Sequence, residues 1–500
     1  MDMLDLRSWS QPSQDLALVC NERPFTYGDL RQRTAVLASH LRGLGAAGHN
    51  VAFFLRNGFD LVCSYLACLE AGATAVPLNP RSTAIELDHY LTFCEASWLL
   101  VHEENLPSLN ADLETLGSSH TLLPVEHPAS WGRPGEREPL SPAPPGRAFD
   151  ERPAVIFFTS GSTQGPRGVM YSRASLLSAI APFFAARFVG VYGIGIEKLV
   201  YLNTASIADT VGCIHVLWTL LAGGTAVIEE GFDADRYLDA VEQYTPTHST
   251  LFLPHAIKLL AHPRASPDRF RSLRMLCFAG DKTSVDLIES CVGTIGLVPL
   301  IGYGLTESFV VALNLSPSFA KFGSMGEPVE GVEVRIVDER RRSVPPGTAG
   351  EILVRSPQNM LGYWRDPVAT RDAFAHGGWL KTGDLALVAD DGYLWFVGRR
   401  KHIIVRGGEN VSPLEVEGVL LRHPAVRAAI VVAARDPLEG EVPEAFVELG
   451  AGMSASEAGL MSYLSDQLIH YKLPRAIRFV TQWPLTRTGK VDRLALQRHP

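Results

Sequence analysis

The sequence predicts an α/β chain with a large N-terminal domain of two helix-covered sheets plus a small β-rich subdomain, followed by a small α+β C-terminal domain. Three observations predict it. Up to Ile301, apolar strand-like runs alternate with amphipathic helical stretches, the pattern of mostly parallel sheets covered by helices. From Val332 the texture changes to short alternating strands. The remaining residues to 500 mix helices and strands in numbers that suit a small separate domain.

The elements follow in order. An amphipathic run Tyr27–Leu44 reads as a helix, Val51–Leu55 as a strand, Leu61–Ala71 as a helix, and Thr74–Pro77 and Trp98–Val101 as strands. Residues 127–153 are crowded with Pro, Gly and charge and read as a long surface connection that divides two subdomains. The alternation resumes at Ala154, so a second sheet is expected from Ala154–Phe158, Leu199–Leu202, Thr225–Ile228, Met275–Phe278 and Val298–Ile301, with helices at Val211–Leu221 and Asp235–Tyr244. The β-rich unit takes Val332–Val337, Glu351–Val354 and Tyr393–Val397. The last unit takes helices Ser412–Leu421 and Glu457–Leu468 and strands Ala428–Ala433, Ala445–Leu449 and Ile477–Val480. There is no fixed-period repeat.

Composition narrows the function classes. Five hundred residues with 46% hydrophobic and 20% charged content supply several cores of ordinary domain size. The formal net charge of −9 leaves no global basic surface for nucleic acid or anionic lipid. Seven cysteines, Cys20, Cys63, Cys68, Cys94, Cys213, Cys277 and Cys291, are scattered, odd in number and without zinc-like spacing, so they read as reduced thiols. The N-terminus lacks a basic region followed by a long apolar one, and no run has the apolar length of a spanning helix. A cytoplasmic protein without a membrane or nucleic-acid partner is expected.

The strongest chemical signal is the loop Thr159-Ser160-Gly161-Ser162-Thr163-Gln164-Gly165-Pro166-Arg167-Gly168, set directly after an apolar strand. Its glycines let backbone N–H groups approach a phosphate, its hydroxyls donate hydrogen bonds and Arg167 adds charge. The spacing is not that of a Walker loop. Three further sites follow. Gly302-Tyr303-Gly304-Leu305-Thr306-Glu307 offers an aromatic face for a base, a hydroxyl for a phosphate and a carboxylate for Mg²⁺. Lys381-Thr382-Gly383-Asp384 adds a carboxylate able to accept from both ribose hydroxyls. Pro484-Leu485-Thr486-Arg487-Thr488-Gly489-Lys490 sets a lysine behind a glycine. Each of the short motifs taken singly also suits an ordinary solvated turn.

In combination the motifs resemble the acyl-adenylate-forming superfamily, in particular the AMP-forming acyl- and aryl-CoA ligases. The resemblance spans almost the whole chain: Ala71-Gly72-Ala73, Pro77-Leu78-Asn79-Pro80-Arg81, the glycine-rich loop, Tyr303–Glu307, Gly350-Glu351-Ile352, Gly362-Tyr363, Lys381–Asp384, Gly398-Arg399, Gly407–Glu417 and Gly489-Lys490. It implies an N-terminal AMP- and acid-binding domain at 1–397, a hinge at 398–402 centred on Lys401, and a mobile C-terminal domain at 403–500. It also implies ATP, Mg²⁺ and coenzyme A. Carried over, Thr159, Ser160, Gly161, Ser162, Thr163, Gly165 and Arg167 would hold the β- and γ-phosphates, with Gly280 and Gly304 in the nucleotide site. Tyr303 would stack on adenine, Thr306 would bond the α-phosphate and Glu307 would hold Mg²⁺. Asp384 and Arg399 would take the ribose, and Lys490 would bridge carboxylate and α-phosphate. Gly407 and Gly408 would line the pantetheine channel, and Asn203, Ser206, Ala279, Gly302 and Gly326 would border the acid pocket.

The sequence departs from the family pattern at several positions. Arg167 stands for the usual Lys, Tyr171-Ser172-Arg173 for a Thr-His pair, Asn203–Ser206 for an aromatic-His segment, Ala279-Gly280-Asp281 for Gly-Gly-Ala and His402 for Asp. The acid pocket is therefore expected to be atypical. His215 reads as a buried, hydrogen-bonded histidine and Trp218 as core, while Phe309 and Met325 suit packing or an acyl tunnel equally. The resemblance implies an acid:CoA ligase. Its alternatives are transfer to a carrier-protein pantetheine or another nucleophile, a member that keeps only the thioester step, and a non-catalytic nucleotide-binding protein.

Overall fold

The computed structural model describes residues 11–115, 120–125, 152–159, 167–192, 198–280, 283, 285–338, 340–399, 404–411, 413–450, 452–484 and 493–497. The first sheet has seven strands, in the order Gly362–Tyr363, Arg167–Tyr171, Val155–Thr159, Thr74–Pro77, Asn50–Phe54, Trp98–Val101 and Thr121–Pro124. From Val155–Thr159 to Thr121–Pro124 the neighbours are parallel, with helices Phe59–Ala71 and Ala84–Cys94 as crossovers. Strands covered on both faces read as continuous apolar runs, as Asn50–Phe54 does, buried throughout.

One expectation is corrected here. The run Ala154–Phe158 does not open the second sheet but pairs inside the first, with Val155 facing Ala75. The Ala75 N–H donates to the Ala154 carbonyl at 2.9 Å, and the Thr74 hydroxyl to the Pro153 carbonyl at 2.7 Å. A hairpin with Arg167–Tyr171 then carries the sheet onward. Strands on either side of residues 127–153 thus belong to one sheet.

The second sheet has nine strands: Glu327–Pro328, Ser308–Asn314, Leu300–Leu305, Met275–Ala279, His248–Phe252, Val200–Asn203, Thr225–Ile228, Leu16–Cys20 and Arg23–Thr26. From Leu300–Leu305 to Leu16–Cys20 the neighbours are parallel. Successive strand side chains point to opposite faces, which sorts two cores. Tyr201, Met275 and Cys277 join the cluster with Tyr65, Phe157, Tyr171 and Trp218, between the two sheets. Leu202, Leu276 and Phe278 join the one with Tyr237 and Phe270.

A third, β-rich sheet holds Glu333–Val337, Gly350–Arg355, Trp379–Val388 and Phe374–Ala375, with Leu394–Arg399 paired to Trp379–Val388. The fourth belongs to the C-terminal unit: Glu409–Val411, Ile404–Arg406, Gly440–Leu449 and Val426–Asp436, with Ala476–Phe479 beside Gly440–Leu449. Its own core gathers Ile404, Val416, Leu420, Val447, Leu460 and Leu464. Helix starts follow their sequence signals. Thr26 with Asp29, and Thr83 with Glu86, close capping boxes in which side chain and backbone satisfy each other's donors. Among the described residues no helix is long and apolar enough to cross a membrane.

Candidate active site

All four sheets contribute to one region. The turn Thr306-Glu307 joins Leu300–Leu305 to Ser308–Asn314, and Gly304 permits it: a Cβ there would lie 1.6 Å from the Phe309 carbonyl oxygen. Two tyrosines of the first sheet anchor the turn. Tyr171 donates its hydroxyl to the Thr306 carbonyl at 2.7 Å, and Tyr363 donates to Oε1 of Glu307 at 2.8 Å. The Glu307 carbonyl accepts the Met360 N–H at 2.8 Å. Burial pushes the Glu307 carboxyl above its ordinary range, and the Tyr363 hydrogen bond opposes that shift.

Arg167 is the cation of this corner. Its Cζ lies 5.0 Å from the centroid of the Tyr363 ring, a cation–π contact. It pairs in register with Thr159, so these two residues close the two ends of the glycine-rich loop. Ser160, Gly161, Ser162, Thr163 and Gly165 lie outside the described residues, as do Lys401 and Lys490.

From the third sheet comes Asp384, 6% exposed. Tyr303 donates its hydroxyl to Oδ2 of Asp384 at 2.8 Å, so the proposed base and ribose residues touch. Arg399 faces Asp384 in strand register. The expected acid-pocket residues spread along the second sheet. Ala279 ends its strand opposite Phe252. A Cβ on Gly302 would lie 3.0 Å from Leu313 Cδ2, and one on Gly326 2.0 Å from the Leu313 carbonyl. Asn203 is fully buried and donates its amide to the Ala205 carbonyl at 2.9 Å. The Ser206 carbonyl accepts the Asp209 N–H at 3.2 Å.

The C-terminal unit delivers its glycine loop to the same place. A Cβ on Gly280 would lie 2.7 Å from Gly408 Cα, and one on Gly408 2.4 Å from Phe252 Cδ1. Glu409 follows, with Oε1 3.3 Å from the Arg81 guanidinium. Burial and the nearby Asp209 charge push the Glu409 carboxyl up to about 7, against the pull of Arg81. Asp209 is itself raised by burial and lowered by Arg81. Two carboxylates therefore share one guanidinium beside the glycine loop.

His215 is buried, with Nδ1 2.8 Å from the Val211 carbonyl, and burial lowers its pKa to about 4. Trp218, Phe309 and Met325 sit in the inter-sheet core. Sequence reasoning assigned no role to Phe252 or Asp209, and none to the hydroxyls of Tyr171 and Tyr363. Glu409, Tyr171 and Tyr363 carried a signal only as members of Gly407–Glu417, Tyr171-Ser172-Arg173 and Gly362-Tyr363. The arrangement sets a cation against an aromatic ring that holds a carboxylate, a second aromatic–carboxylate pair at Tyr303 and Asp384, and a close contact of Gly280 with Gly408 that admits no Cβ.

Comparison with known proteins agrees with these features. Residues 6–364 match the AMP-binding enzyme family, and residues 415–490 match the AMP-binding enzyme C-terminal domain. Feruloyl-CoA synthase of an Amycolatopsis species is 34% identical over 93% of this chain and 92% of its own. Indoleacetate–CoA ligase of Aromatoleum aromaticum is 31% identical over 94% and 92%. Among solved structures, the amide bond synthetase of Marinactinospora thermotolerans superposes with a TM-score of 0.89, at 28% identity over 99% of each chain. A double mutant of o-succinylbenzoate CoA synthetase from Bacillus subtilis, bound with a CoA product analogue, gives 0.87 at 26% identity over 99% and 98%. The Bacillus subtilis synthetase in complex with AMP gives 0.69 at the same identity and coverage.

Proposed function

The chain belongs to the AMP-binding enzyme family, in the acyl-adenylate-forming superfamily and of its acyl/aryl-CoA ligase type, and from that premise we propose that it activates a carboxylic acid with ATP and passes the acyl group to coenzyme A. One observation carries the second half of this reading. The chain superposes far better on the product-analogue complex of the Bacillus subtilis synthetase than on its AMP complex. Identity and coverage are equal in the two comparisons, and the close approach of Gly408 to Gly280 in this chain supports an arrangement suited to acyl transfer.

In the first step an oxygen of the acid attacks the α-phosphorus and pyrophosphate leaves with the electron pair of the broken P–O bond. The demands are charge stabilisation and alignment. Arg167, with the loop it closes, would hold the β- and γ-phosphates, and Thr306 the α-phosphate. Tyr303 would stack on adenine, and Asp384 with Arg399 would take the ribose. Lys490 would bridge the two reacting groups. Glu307 brings one carboxylate, the donor type that magnesium takes beside phosphate oxygens and water. Among the described residues no cluster of three or more His, Cys, Asp or Glu side chains competes for a metal. Magnesium, when bound, neutralises phosphate charge. In the second step the thiol sulfur bonds to the acyl carbon, AMP leaves with the electron pair of the broken C–O bond, and the thiol proton is lost to water. Gly407 and Gly408 would line the thiol's path, with the division at 398–402 as the hinge between steps.

Transfer to an amine is the second reading, favoured by the 0.89 superposition on an amide bond synthetase. A panel of hydrophobic carboxylic acids with ATP and either coenzyme A or an amine, scored for pyrophosphate and for product mass, separates the two. Thioester supports the first reading, amide the second, and absence of pyrophosphate release with every acid rejects both.

A further inference from the structure

Lys472 is a buried cation to which the chemistry above assigns no role. It is 2% exposed and ends the short turn His470–Lys472 of the C-terminal unit. Its Nζ lies 2.8 Å from Oε1 of Glu415 and 3.4 Å from Oε1 of Glu86. Burying an ammonium is costly unless carboxylates compensate it. The two carboxylates differ in kind. Glu415 lies in helix Pro413–Arg422 of the same unit, so it travels with Lys472. Glu86 lies in helix Ala84–Cys94, beneath the first sheet, so it meets Lys472 only while the units are docked as here.

The turn and the glycine loop are tied together within the C-terminal unit. Arg406 donates from Nη1 to the carbonyls of Tyr471 and Leu473 at 3.3 and 2.8 Å, and Gly407 and Gly408 follow Arg406 directly. Glu86 holds the turn a second way, because its Oε1 also accepts the Ile469 N–H at 3.2 Å. Arg81, five residues before Glu86, reaches both parts: Glu409 at 3.3 Å, and the Tyr471 ring at 5.8 Å from its centroid.

We infer that Lys472 and Glu86 form a conditional ion pair that positions the Gly407-Gly408 loop against Gly280 for acyl transfer, and that they take no part in adenylation. The inference rests on the two-step reading above. Lys472→Met keeps the stem and removes the charge, which leaves Glu86 and Glu415 facing each other only in the docked arrangement. Acyl transfer from a supplied acyl-adenylate to coenzyme A falls roughly tenfold or more, while ATP–pyrophosphate exchange stays near the parent rate. Adding Glu86→Gln relieves the repulsion and recovers much of the loss. Glu86→Lys confronts Lys472 with a like charge only when docked, and gives the same split if Lys472→Met does not fold.

A readout independent of turnover uses spin labels at Phe319→Cys and Met453→Cys, both exposed, since all seven native cysteines are buried. Lys472→Met moves the distance distribution away from the parent's, and Glu86→Gln in that background moves it back. Equal loss in both half-reactions, or distances unchanged by Lys472→Met and Glu86→Lys, overturns the inference. A parent that forms no thioester rejects the two-step reading instead, and the distances still decide the ion pair.

Discussion

On the proposed two-step reading, Gly408→Ala should separate the half-reactions, because Gly408 of the C-terminal unit packs directly against Phe252 of the second sheet. Gly408 has φ +85°, and its added Cβ would meet three Phe252 ring carbons at 2.4, 3.0 and 3.1 Å. The strain of an alanine at positive φ is local to the loop and present in either arrangement, so it does not discriminate. The clash does. Overpacking of this kind costs about 1–3 kcal/mol, a roughly 5- to 150-fold loss in the docked population. Acyl transfer from supplied acyl-adenylate should fall by that factor while ATP–pyrophosphate exchange persists. Phe252→Ala in the same chain removes the ring and should restore much of the rate. Equal loss in both assays, or a loss that survives Phe252→Ala, would refute the reasoning.

Three further outcomes follow from single contacts. Tyr363→Phe removes a hydrogen bond to a carboxylate, worth about 1.5–3 kcal/mol, so pyrophosphate exchange should drop roughly 10- to 150-fold with acyl transfer little changed. Gly304→Ala drives a Cβ into the Phe309 carbonyl, and thermal unfolding should report a chain that does not reach the native state. His215, with a pKa lowered from 6.5 to about 4, binds its proton more tightly unfolded than folded. Its contribution is therefore complete above the unfolded value and is lost as pH falls from 6.5 towards 4, about 2 kcal/mol between pH 7 and pH 5. His215→Phe should lose less melting temperature over that interval than the parent, and parallel losses would contradict the assignment.

Much of the fold was legible because parallel strands buried on both faces leave continuous apolar runs, such as Asn50–Phe54 and Thr225–Ile228. Sheet membership was less so. Val155–Thr159 looks alike whichever sheet receives it, and pairing across residues 127–153 is a non-local choice. The hairpin Leu16–Cys20/Arg23–Thr26 was not anticipated although Leu16–Cys20 is itself a continuous apolar run, because the sheet it edges lies far away in sequence. In the site, motif residues such as Tyr303, Asp384 and Glu307 could be named because their side-chain chemistry is distinctive. Tyr171 and Glu86 could not, because what matters is the partner that folding brings to them: the Thr306 carbonyl for one, Lys472 for the other. The arrangement of the C-terminal unit was also beyond reach, since it rests on contacts between residues far apart in sequence, such as Lys472 with Glu86.

The claim that this enzyme joins an acid to coenzyme A is tested most directly by stoichiometry. With ATP, coenzyme A and a hydrophobic acid that the enzyme turns over, AMP, pyrophosphate and acyl-CoA should accumulate in equal amounts. Pyrophosphate without acyl-CoA, or acyl-CoA formed only when acyl-adenylate is supplied, would contradict the account.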